Sequence, residues 1–507
     1  MLEVWRRITI GLMLTCFLAV AGSAIPVAGA PDEIGDEDIT MAIEVELIFD
    51  DAVSSHLIDV ETIDGVVTLS GTVSNLLARE RAASIAQSVK NVRSVINEIE
   101  VMPVDRADSA IRDDVTTAFV TDPITESWEM DVMVNNGKVT LTGMVDNWAE
   151  KRFAERLTRG VKGVSEIENN ISISYDTTRP DSEIMAEVEG ALEWDPYVDH
   201  HLIDVSVDNG KVMLSGTVGS AAEKTRARSD AWLAGARSVD AEDLEVEPWA
   251  QGTLERKAET VLKPDSEIRE AVKDALLYDP RVVSLTVDVM VENGEVTLDG
   301  TVEDLRAKKA AADDARNTVG VWRVENGLRV RPSTSLSDSE IEDRIEAALI
   351  RDAIVERYDL GVVVRNRKAY LYGMVDSYYE RERAEDVASA VQGVVDVENN
   401  LGVDYTWAWK NDEEIASDIE DEFFWSVFVD GDDIVVTVED GVATLSGVVE
   451  DWQEYKAAVD NAFDGGARKV RSNLQVEGVP GYTYRVYETR DDLAYAYYGT
   501  WDTIWLD

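Results

Sequence analysis

The sequence is poor in cysteine and histidine, and these shortages exclude several kinds of active site. Its single cysteine, Cys16, lies in a segment expected to be removed, so the mature chain would have no disulfide and no thiol chemistry. The histidines are His56 and the adjacent pair His200 and His201, whose side chains we expect on opposite faces of an extended segment. The glycines form no phosphate-binding loop, and no serine lies in a nucleophile elbow. We therefore expect no catalytic residue, no cofactor and no metal site, and predict that the chain is not an enzyme.

Basic residues are also scarce relative to acidic ones. Lys and Arg number 48 against 101 Asp and Glu, which gives a formal net charge of −53. Contacts with a nucleic-acid backbone need Lys and Arg, so nucleic acid is excluded as a partner, and attraction to anionic lipid by charge alone is disfavoured. We interpret the acid as a solvated, self-repelling surface; a saline habitat, divalent cations or a basic partner are the alternatives. The segment closest to a calcium loop, Asp430-Gly431-Asp432-Asp433, is interpreted as a solvated turn.

Long apolar runs are also scarce, and the one candidate lies at the N-terminus. Arg6 and Arg7 precede an apolar run from Ile8 to Ala21, and small residues suited to cleavage follow. This order predicts that residues 1–30 are a signal peptide and that the chain is exported to the periplasm or cell envelope. The run is shorter than the ~20 residues of a full membrane span, although an uncleaved anchor is the alternative.

What the sequence does contain is one cassette in six copies, which in the third copy runs from Asn209 to Val218. A spacing of about 70 residues is too long for a solenoid unit and predicts small domains in tandem. The last glycine of the cassette lies on the same face of its strand as the residues expected to be buried. We interpret it as a position without a side chain that lets a helix or backbone approach the sheet closely, with a ligand on bare backbone as the alternative. It falls at Gly71, Gly143, Gly216, Gly300, Gly373 and Gly447.

Each copy shows the pattern of a helix, two strands, a second helix and a third strand. In the third copy, Asp181-Ser182 is a candidate N-cap, and Ile184, Val188 and Leu192 follow at helical spacing. The cassette then predicts a hairpin, because Asn-Gly tolerates the positive φ of a tight turn. The last strand has an asparagine on its inward face. We expect its side chain to form hydrogen bonds with nearby backbone groups. The predicted fold is α+β: a tandem array of six small αββαβ domains, each a three-stranded sheet with two helices on one face.

This pattern resembles the BON domain, named for bacterial OsmY and nodulation proteins. The resemblance is carried by Asp-Ser-x-Ile in the first helix, by the hairpin Asn-Gly-x-Val-x-Leu-x-Gly-x-Val and by the closing Val-x-Asn-x-Leu-x-Val. It implies an αββαβ fold, a location in the bacterial cell envelope and a non-enzymatic role. The roles suggested for the family are attachment to phospholipid membranes and maintenance of the envelope under osmotic stress. The fifth hairpin departs from the pattern, with Asn366-Arg367 in place of Asn-Gly.

The repeats account for nearly all of the mature chain. The connection after the third copy is the longest, and it is a candidate hinge between two halves of three repeats. Because a core of about 70 residues is marginal, we expect neighbouring repeats to dock. The predicted units are repeats at 36–103, 108–175, 181–247, 265–332, 338–405 and 412–478, a linker at 248–264 and an aromatic-rich tail at 479–507.

Two aromatic-rich segments are the candidate interaction sites. One is the end of the first helix of the sixth copy. The other is the tail, where packing on the last domain competes with docking of a partner, a glycan or a membrane interface. The candidate interaction residues are Phe423, Phe424, Trp425, Phe428, Trp501 and Trp505.

The sequence thus predicts an exported binding or scaffold protein of the cell envelope, with membrane phospholipid or another envelope protein as its partner. The alternative is a structural, self-associating array without lipid affinity. Because the acidic chain and anionic lipid repel each other, apolar or aromatic groups would supply the energy of any membrane attachment.

Overall fold

The structure is a computed structural model in which the six repeats are almost completely described. The predicted signal peptide, most of the linker and most of the tail, with Trp501 and Trp505, lie outside the described residues. The described residues are 34–50, 52–53, 55–122, 124–125, 130–174, 179–251, 263–282, 284–355, 360–403, 410–477 and 485–487.

The described residues contain twelve α-helices, two in each repeat. Each first helix buries the predicted apolar trio, as Ile184, Val188 and Leu192 do in the third repeat. Each second helix begins after an Asn, Ser or Asp cap; the Ser220 hydroxyl, for example, accepts the N–H of Glu223 at 3.1 Å. The first helices are α1 Asp36–Phe49, α3 Asp108–Thr121, α5 Asp181–Trp194, α7 Asp265–Tyr278, α9 Asp338–Arg351 and α11 Asp412–Trp425. The second helices are α2 Leu76–Gln87, α4 Trp148–Arg159, α6 Ala221–Leu233, α8 Leu305–Arg316, α10 Tyr378–Ser389 and α12 Trp452–Asp464.

Each repeat also has its own sheet, with the cassette strand in the middle. The preceding strand pairs antiparallel with the cassette strand through the hairpin, and the strand after the second helix pairs parallel with it. In the first, third and fourth repeats this last strand is broken into two pieces, and in the sixth β22 adds a fourth strand. The predicted αββαβ fold is confirmed. In chain order the strands are β1 Ile58–Ile63, β2 Val66–Val73, β3 Ser94–Asn97, β4 Glu100–Val101, β5 Met130–Asn135, β6 Lys138–Val145, β7 Glu166–Ile173, β8 Ile203–Asp208, β9 Lys211–Val218, β10 Ser238–Asp240, β11 Leu244–Val246, β12 Val287–Glu292, β13 Glu295–Val302, β14 Arg323–Asn326, β15 Arg329–Val330, β16 Leu360–Arg365, β17 Lys368–Val375, β18 Asp396–Val403, β19 Ile434–Glu439, β20 Val442–Val449, β21 Lys469–Val476 and β22 Arg485–Tyr487.

The hairpin turn is held by the first residue of the first helix. In the third repeat Asn209 and Gly210 have φ values of 53° and 78°, and the Asp181 carboxylate accepts both of their backbone N–H groups at 2.9 Å. Asp181 is therefore not the N-cap that the sequence suggests, because Pro180 holds that position without a side-chain bond. The aspartates that hold the turn in the other repeats are Asp36, Asp108, Asp265, Asp338 and Asp412.

The cassette glycine lies where the backbone leaves no room for a side chain. Gly216 has a φ of 116°, and a Cβ there would overlap the carbonyl oxygen of Leu202, just before β8. The group that approaches the sheet is thus a carbonyl of the preceding turn and not a helix. The glycines that meet a carbonyl in the same way are Gly71, Gly300 and Gly447. Gly143 and Gly373 also have positive φ values, of 155° and 131°.

The adjacent histidines do not lie on opposite faces of an extended segment. Residues His200–Leu202 form a 3₁₀ turn, and the ring centroids of His200 and His201 are 4.0 Å apart. The expectation was wrong because the Asp199 carboxylate accepts the N–H of His201 at 3.3 Å and closes the turn.

Each repeat has an apolar core of its own, and several repeats add a residue to the core of another. Leu76 of the first repeat is buried in the core of the second, and Leu305 of the fourth in the core of the fifth. Ala221 of the third repeat lies in the core of the first. The repeats therefore dock, and docking extends beyond neighbours in sequence.

Candidate functional site

Repeats from the two halves of the chain are joined in pairs by backbone contacts. Val89 of the first repeat and Ser426 of the sixth form an antiparallel β-bridge, flanked by N–H···O bonds of 2.9 and 3.1 Å between the same segments. Val161 and Asp352 form the equivalent bridge between the second and fifth repeats, with flanking bonds of 2.7 and 2.9 Å. In both pairs the loop after a second helix meets the end of a first helix.

The third and fourth repeats complete this set of pairs. The N–H of Val319 donates to the carbonyl of Trp194 at 3.1 Å, again between the loop after a second helix and the end of a first helix. The Tyr278 hydroxyl donates to the Glu187 carboxylate at 2.9 Å. Among the described residues, each repeat of the first half is thus joined by backbone hydrogen bonds to one repeat of the second half. These bonds connect the halves at three places, so a hinge movement at the linker would have to break them.

The aromatic cluster of the sixth repeat packs within its own repeat and against the first and third repeats. Phe423 is 2% exposed and belongs to the core of its own repeat. Trp425 packs against the core of the first repeat. The Phe428 ring lies edge-on to Tyr197 of the third repeat, with centroids 5.7 Å apart. Of the described candidate interaction residues, only Phe424, which is 52% exposed, faces solvent to a large extent.

Phe424 belongs to a set of apolar side chains that recurs at one position of the repeat. This position directly follows the last core residue of the first helix, so its side chain points away from the core of its own repeat. The set becomes visible in the sequence only when the six copies are aligned with each other. Its members lie far apart along the chain and form no local cluster. We call the set the helix-end register; its exposed members are Ile48, Val120, Leu277, Ile350 and Phe424.

An aspartate at the end of the first helix binds an arginine of the second helix in the odd-numbered repeats. The pairs are Asp50–Arg81, Asp195–Arg226 and Asp352–Arg383. In the second repeat Phe153 occupies the arginine position, and Arg306 of the fourth repeat binds Asp122 instead, at 2.7 Å. The Arg306 guanidinium also lies 4.9 Å from the centroid of the Phe153 ring. An ion pair internal to one repeat has thus become a link between two repeats.

A groove of about 70 Å³ lies between the first and sixth repeats and is lined by Glu46, Glu422 and Asp464. Burial raises the pKa of Glu46 to about 7, the hydrogen bond with Glu422 opposes this rise, and Asp464 adds to it by repulsion. Because two carboxyl groups can share a hydrogen bond only when one keeps its proton, we expect this contact to depend on pH.

In the described part of the chain, no group of three or more His, Cys, Asp or Glu side chains is arranged to hold a metal ion. None of the helices described has the length and apolar character of a membrane-crossing segment. The Asp430 carboxylate accepts the N–H of Asp432 at 3.3 Å, in a 3₁₀ turn at Gly431–Asp433.

Comparison with known families decides the classification. The BON domain matches six stretches of the chain, at residues 35–103, 107–175, 180–248, 264–332, 337–405 and 411–478. The chain belongs to the BON-domain family. These stretches coincide with the six folded repeats described above. The relatives of this BON protein are shorter, and each aligned region has the length of about two repeats.

The relatives are bacterial proteins. The osmotically-inducible protein Y of Escherichia coli (strain K12) is 34% identical over 143 residues, which are 27% of this BON chain and 71% of the relative. The outer membrane lipoprotein DolP of Haemophilus influenzae is 29% identical over 147 residues, or 28% and 68% of the two chains. The 21 kDa hemolysin of Actinobacillus pleuropneumoniae is 36% identical over 122 residues, or 24% and 59%. A solved structure of CdsD, a structural protein of the type III secretion system of Chlamydia trachomatis, covers 41% of this chain and 91% of its own at 17% identity; its TM-score of 0.12 supports no further argument.

Proposed function

We propose that this BON chain is a non-enzymatic scaffold of the bacterial cell envelope that attaches to phospholipid membranes. The observation that carries the scaffold role is the pairing of each repeat of the first half with one of the second half. Second helices also pack against each other, as where Trp148 of α4 stacks on Trp232 of α6 with centroids 5.5 Å apart. Relatives named for osmotic induction and for the outer membrane support an envelope location and a role under osmotic stress.

The helix-end register would supply the membrane contacts. Full burial of one such side chain contributes about 1.5–3 kcal/mol, so several together would hold a protein at a bilayer. The net charge of −53 opposes approach to anionic lipid unless divalent cations intervene. We therefore expect attachment to neutral vesicles, and to anionic vesicles only with Mg²⁺ present.

Co-sedimentation of the full chain with phosphatidylethanolamine and phosphatidylglycerol vesicles tests this proposal. The variant Val120→Ser/Leu277→Ser/Ile350→Ser should lose most of its vesicle binding. The matched control is Met133→Ser/Met144→Ser/Met290→Ser, which removes three apolar side chains of the sheets that are 59%, 62% and 55% exposed. Equal losses in both variants would show that the helix-end register is not the membrane site.

The alternative is a self-associating array without lipid affinity. It is supported by the aromatic side chains of Trp425 and Phe428, which pack between repeats and not toward solvent. This alternative predicts that no vesicle of either composition sediments the chain. It also predicts a molar mass, measured by light scattering, that increases with protein concentration.

A further inference from the structure

A cleft of about 1050 Å³ opens where the second, fourth and fifth repeats meet, with α4, α8 and α10 in its walls. Basic side chains slightly outnumber acidic ones among the charged residues of this central cleft. In the whole chain, by contrast, acidic residues outnumber basic ones by 101 to 48. The lining of the central cleft is therefore close to neutral, in a chain that is strongly acidic as a whole.

Several acidic side chains in the central cleft are already neutralised by a cation. The ion pairs are Asp352–Arg383 at 2.7 Å, Asp313–Arg316 at 2.6 Å and Glu385–Lys309 at 2.7 Å. Asp343, which also lines the cleft, is exposed to solvent.

Three basic residues of the central cleft, Lys308, Arg344 and Arg351, form no ion pair with any described residue. Arg344 donates only to the Gln392 amide oxygen, at 3.2 Å. Burial lowers the pKa of Arg351, which is the effect of removing a cation from water without a close counter-charge; Asp114 offsets this in part.

Arg306 carries further unused hydrogen-bonding capacity. One of its terminal nitrogens binds Asp122, but its Nε and Nη2 groups are buried and have no hydrogen-bond partner among the described residues. Buried N–H groups without an acceptor destabilise a fold, and an anion in the cleft would satisfy them.

We propose that the central cleft binds a small molecule that carries a phosphate group, with Arg306, Arg344 and Arg351 as its ligands. The planar guanidinium group donates two parallel N–H bonds to the oxygens of a phosphate, which makes arginine the usual ligand for this group. The half-buried side chains Leu157, Val395 and Val397 give the cleft an apolar wall for the remainder of the molecule. This site is separate from the proposed membrane contacts and does not depend on them.

Isothermal titration of the full chain with inorganic pyrophosphate, at about 0.15 M NaCl to screen weak surface binding, tests the proposal. We expect one pyrophosphate per chain, and an affinity at least about tenfold lower in Arg344→Gln and in Arg351→Gln. The control is Arg112→Gln, which makes the same charge change in a 51% exposed side chain of the second repeat outside the cleft. Failure of the wild-type chain to bind at millimolar pyrophosphate would overturn the proposal, as would an equal loss in the control.

Two further measurements keep the outcome decisive. Thermal melting of each variant shows whether it is folded, and if Arg351→Gln is not, Arg351→Lys should keep the charge but weaken binding because it loses the guanidinium fork. Competition with phosphatidylglycerol vesicles then separates the sources of the phosphate. Displacement of bound pyrophosphate by vesicles indicates a lipid headgroup, and its retention indicates a free phosphate compound.

Discussion

The fifth hairpin places Arg367 at the position where the other repeats have glycine. Its φ of 66° lies in the left-handed region, which costs an L-residue roughly 1–2 kcal/mol. The Asp338 carboxylate holds its backbone N–H at 2.9 Å, and its guanidinium donates to the Thr334 carbonyl at 2.9 Å. The turn is therefore maintained by the helix aspartate even without glycine, and the arginine side chain offsets part of the backbone strain.

The strain at Arg367 can be separated from its side-chain bond. Arg367→Ala removes the hydrogen bond to Thr334 but keeps a Cβ at positive φ, whereas Arg367→Gly removes both the bond and the strain. We expect the glycine variant to be more stable than the alanine variant by about 1 kcal/mol in urea unfolding. If the alanine variant were equally stable, the turn would not be strained at this position.

Alanine should have opposite effects at two glycines of the third repeat. Gly216→Ala should lower the free energy of unfolding by more than about 1 kcal/mol, because the new Cβ overlaps the Leu202 carbonyl at a positive φ. Gly190→Ala is the matched control in α5, where nothing lies within 4 Å of the new Cβ. It should raise stability by about 0.5–1 kcal/mol. Thermal melts of both variants that shift in the same direction would contradict this account.

At the scale of helices and strands, local patterns predict most of the fold. The helical trios, the Asn-Gly turns and the inward asparagines all follow from neighbouring residues. Asn97, for instance, donates to the Arg79 carbonyl at 2.9 Å and accepts from the Ile99 N–H at 3.2 Å. The link from Arg306 to Asp122 could not be predicted in this way, because its partner lies two repeats away and local spacing contains no information about which repeats meet.

The contact between α1 and α11 should depend on pH. The folded-state pKa of Glu46 is raised to about 7 from an ordinary 4.5, so between these values the folded chain holds more protons than the unfolded chain. The free energy of unfolding contributed by this group therefore falls as pH rises from about 4.5 through 7. Glu46→Gln cannot ionise, and its melting temperature should fall less than that of the wild type between about pH 5 and about pH 8, a range that spans the raised pKa of about 7.

The control for this pH dependence is Glu44→Gln, which changes an exposed glutamate of the same helix. Its melting temperatures should follow those of the wild type across the whole pH range. A Glu46→Gln profile that also follows the wild type would show that Glu46 does not carry the pH dependence of the contact.

At the scale of the whole molecule, six domains form one interlocked assembly in spite of strong self-repulsion. A net charge of −53 opposes compactness, and salt screens exposed charges, with a screening length of about 10 Å at 0.1 M and 3 Å at 1 M. The ion pair between Arg306 and Asp122, which joins two repeats, is largely buried and is screened much less. The composition shows the repulsion, but only the structure shows which contacts oppose it.

Salt should therefore stabilise the assembly. We expect the melting temperature of the full chain to rise steadily with NaCl between about 0.1 and 1 M, because the exposed carboxylates lose more repulsion than the buried pairs lose attraction. Potassium chloride should act equally, since the effect is screening and not specific binding. A melting temperature that falls with either salt would mean that ion pairs dominate over repulsion.

Disulfide trapping tests the pairing of the repeats most directly, in a chain that carries Cys16→Ser. Val89 and Ser426 face each other at a non-hydrogen-bonded antiparallel position, where Cα atoms are about 4.5 Å apart, within the range of a disulfide. We expect Val89→Cys/Ser426→Cys and Val161→Cys/Asp352→Cys each to form an intramolecular disulfide on mild oxidation. The mass of the monomer should then show that neither thiol has been alkylated. In the mismatched pair Val89→Cys/Asp352→Cys, both thiols should stay reduced and should therefore be fully alkylated. Free thiols in both matched pairs, or equally rapid oxidation of the mismatched pair, would contradict the interlocked arrangement.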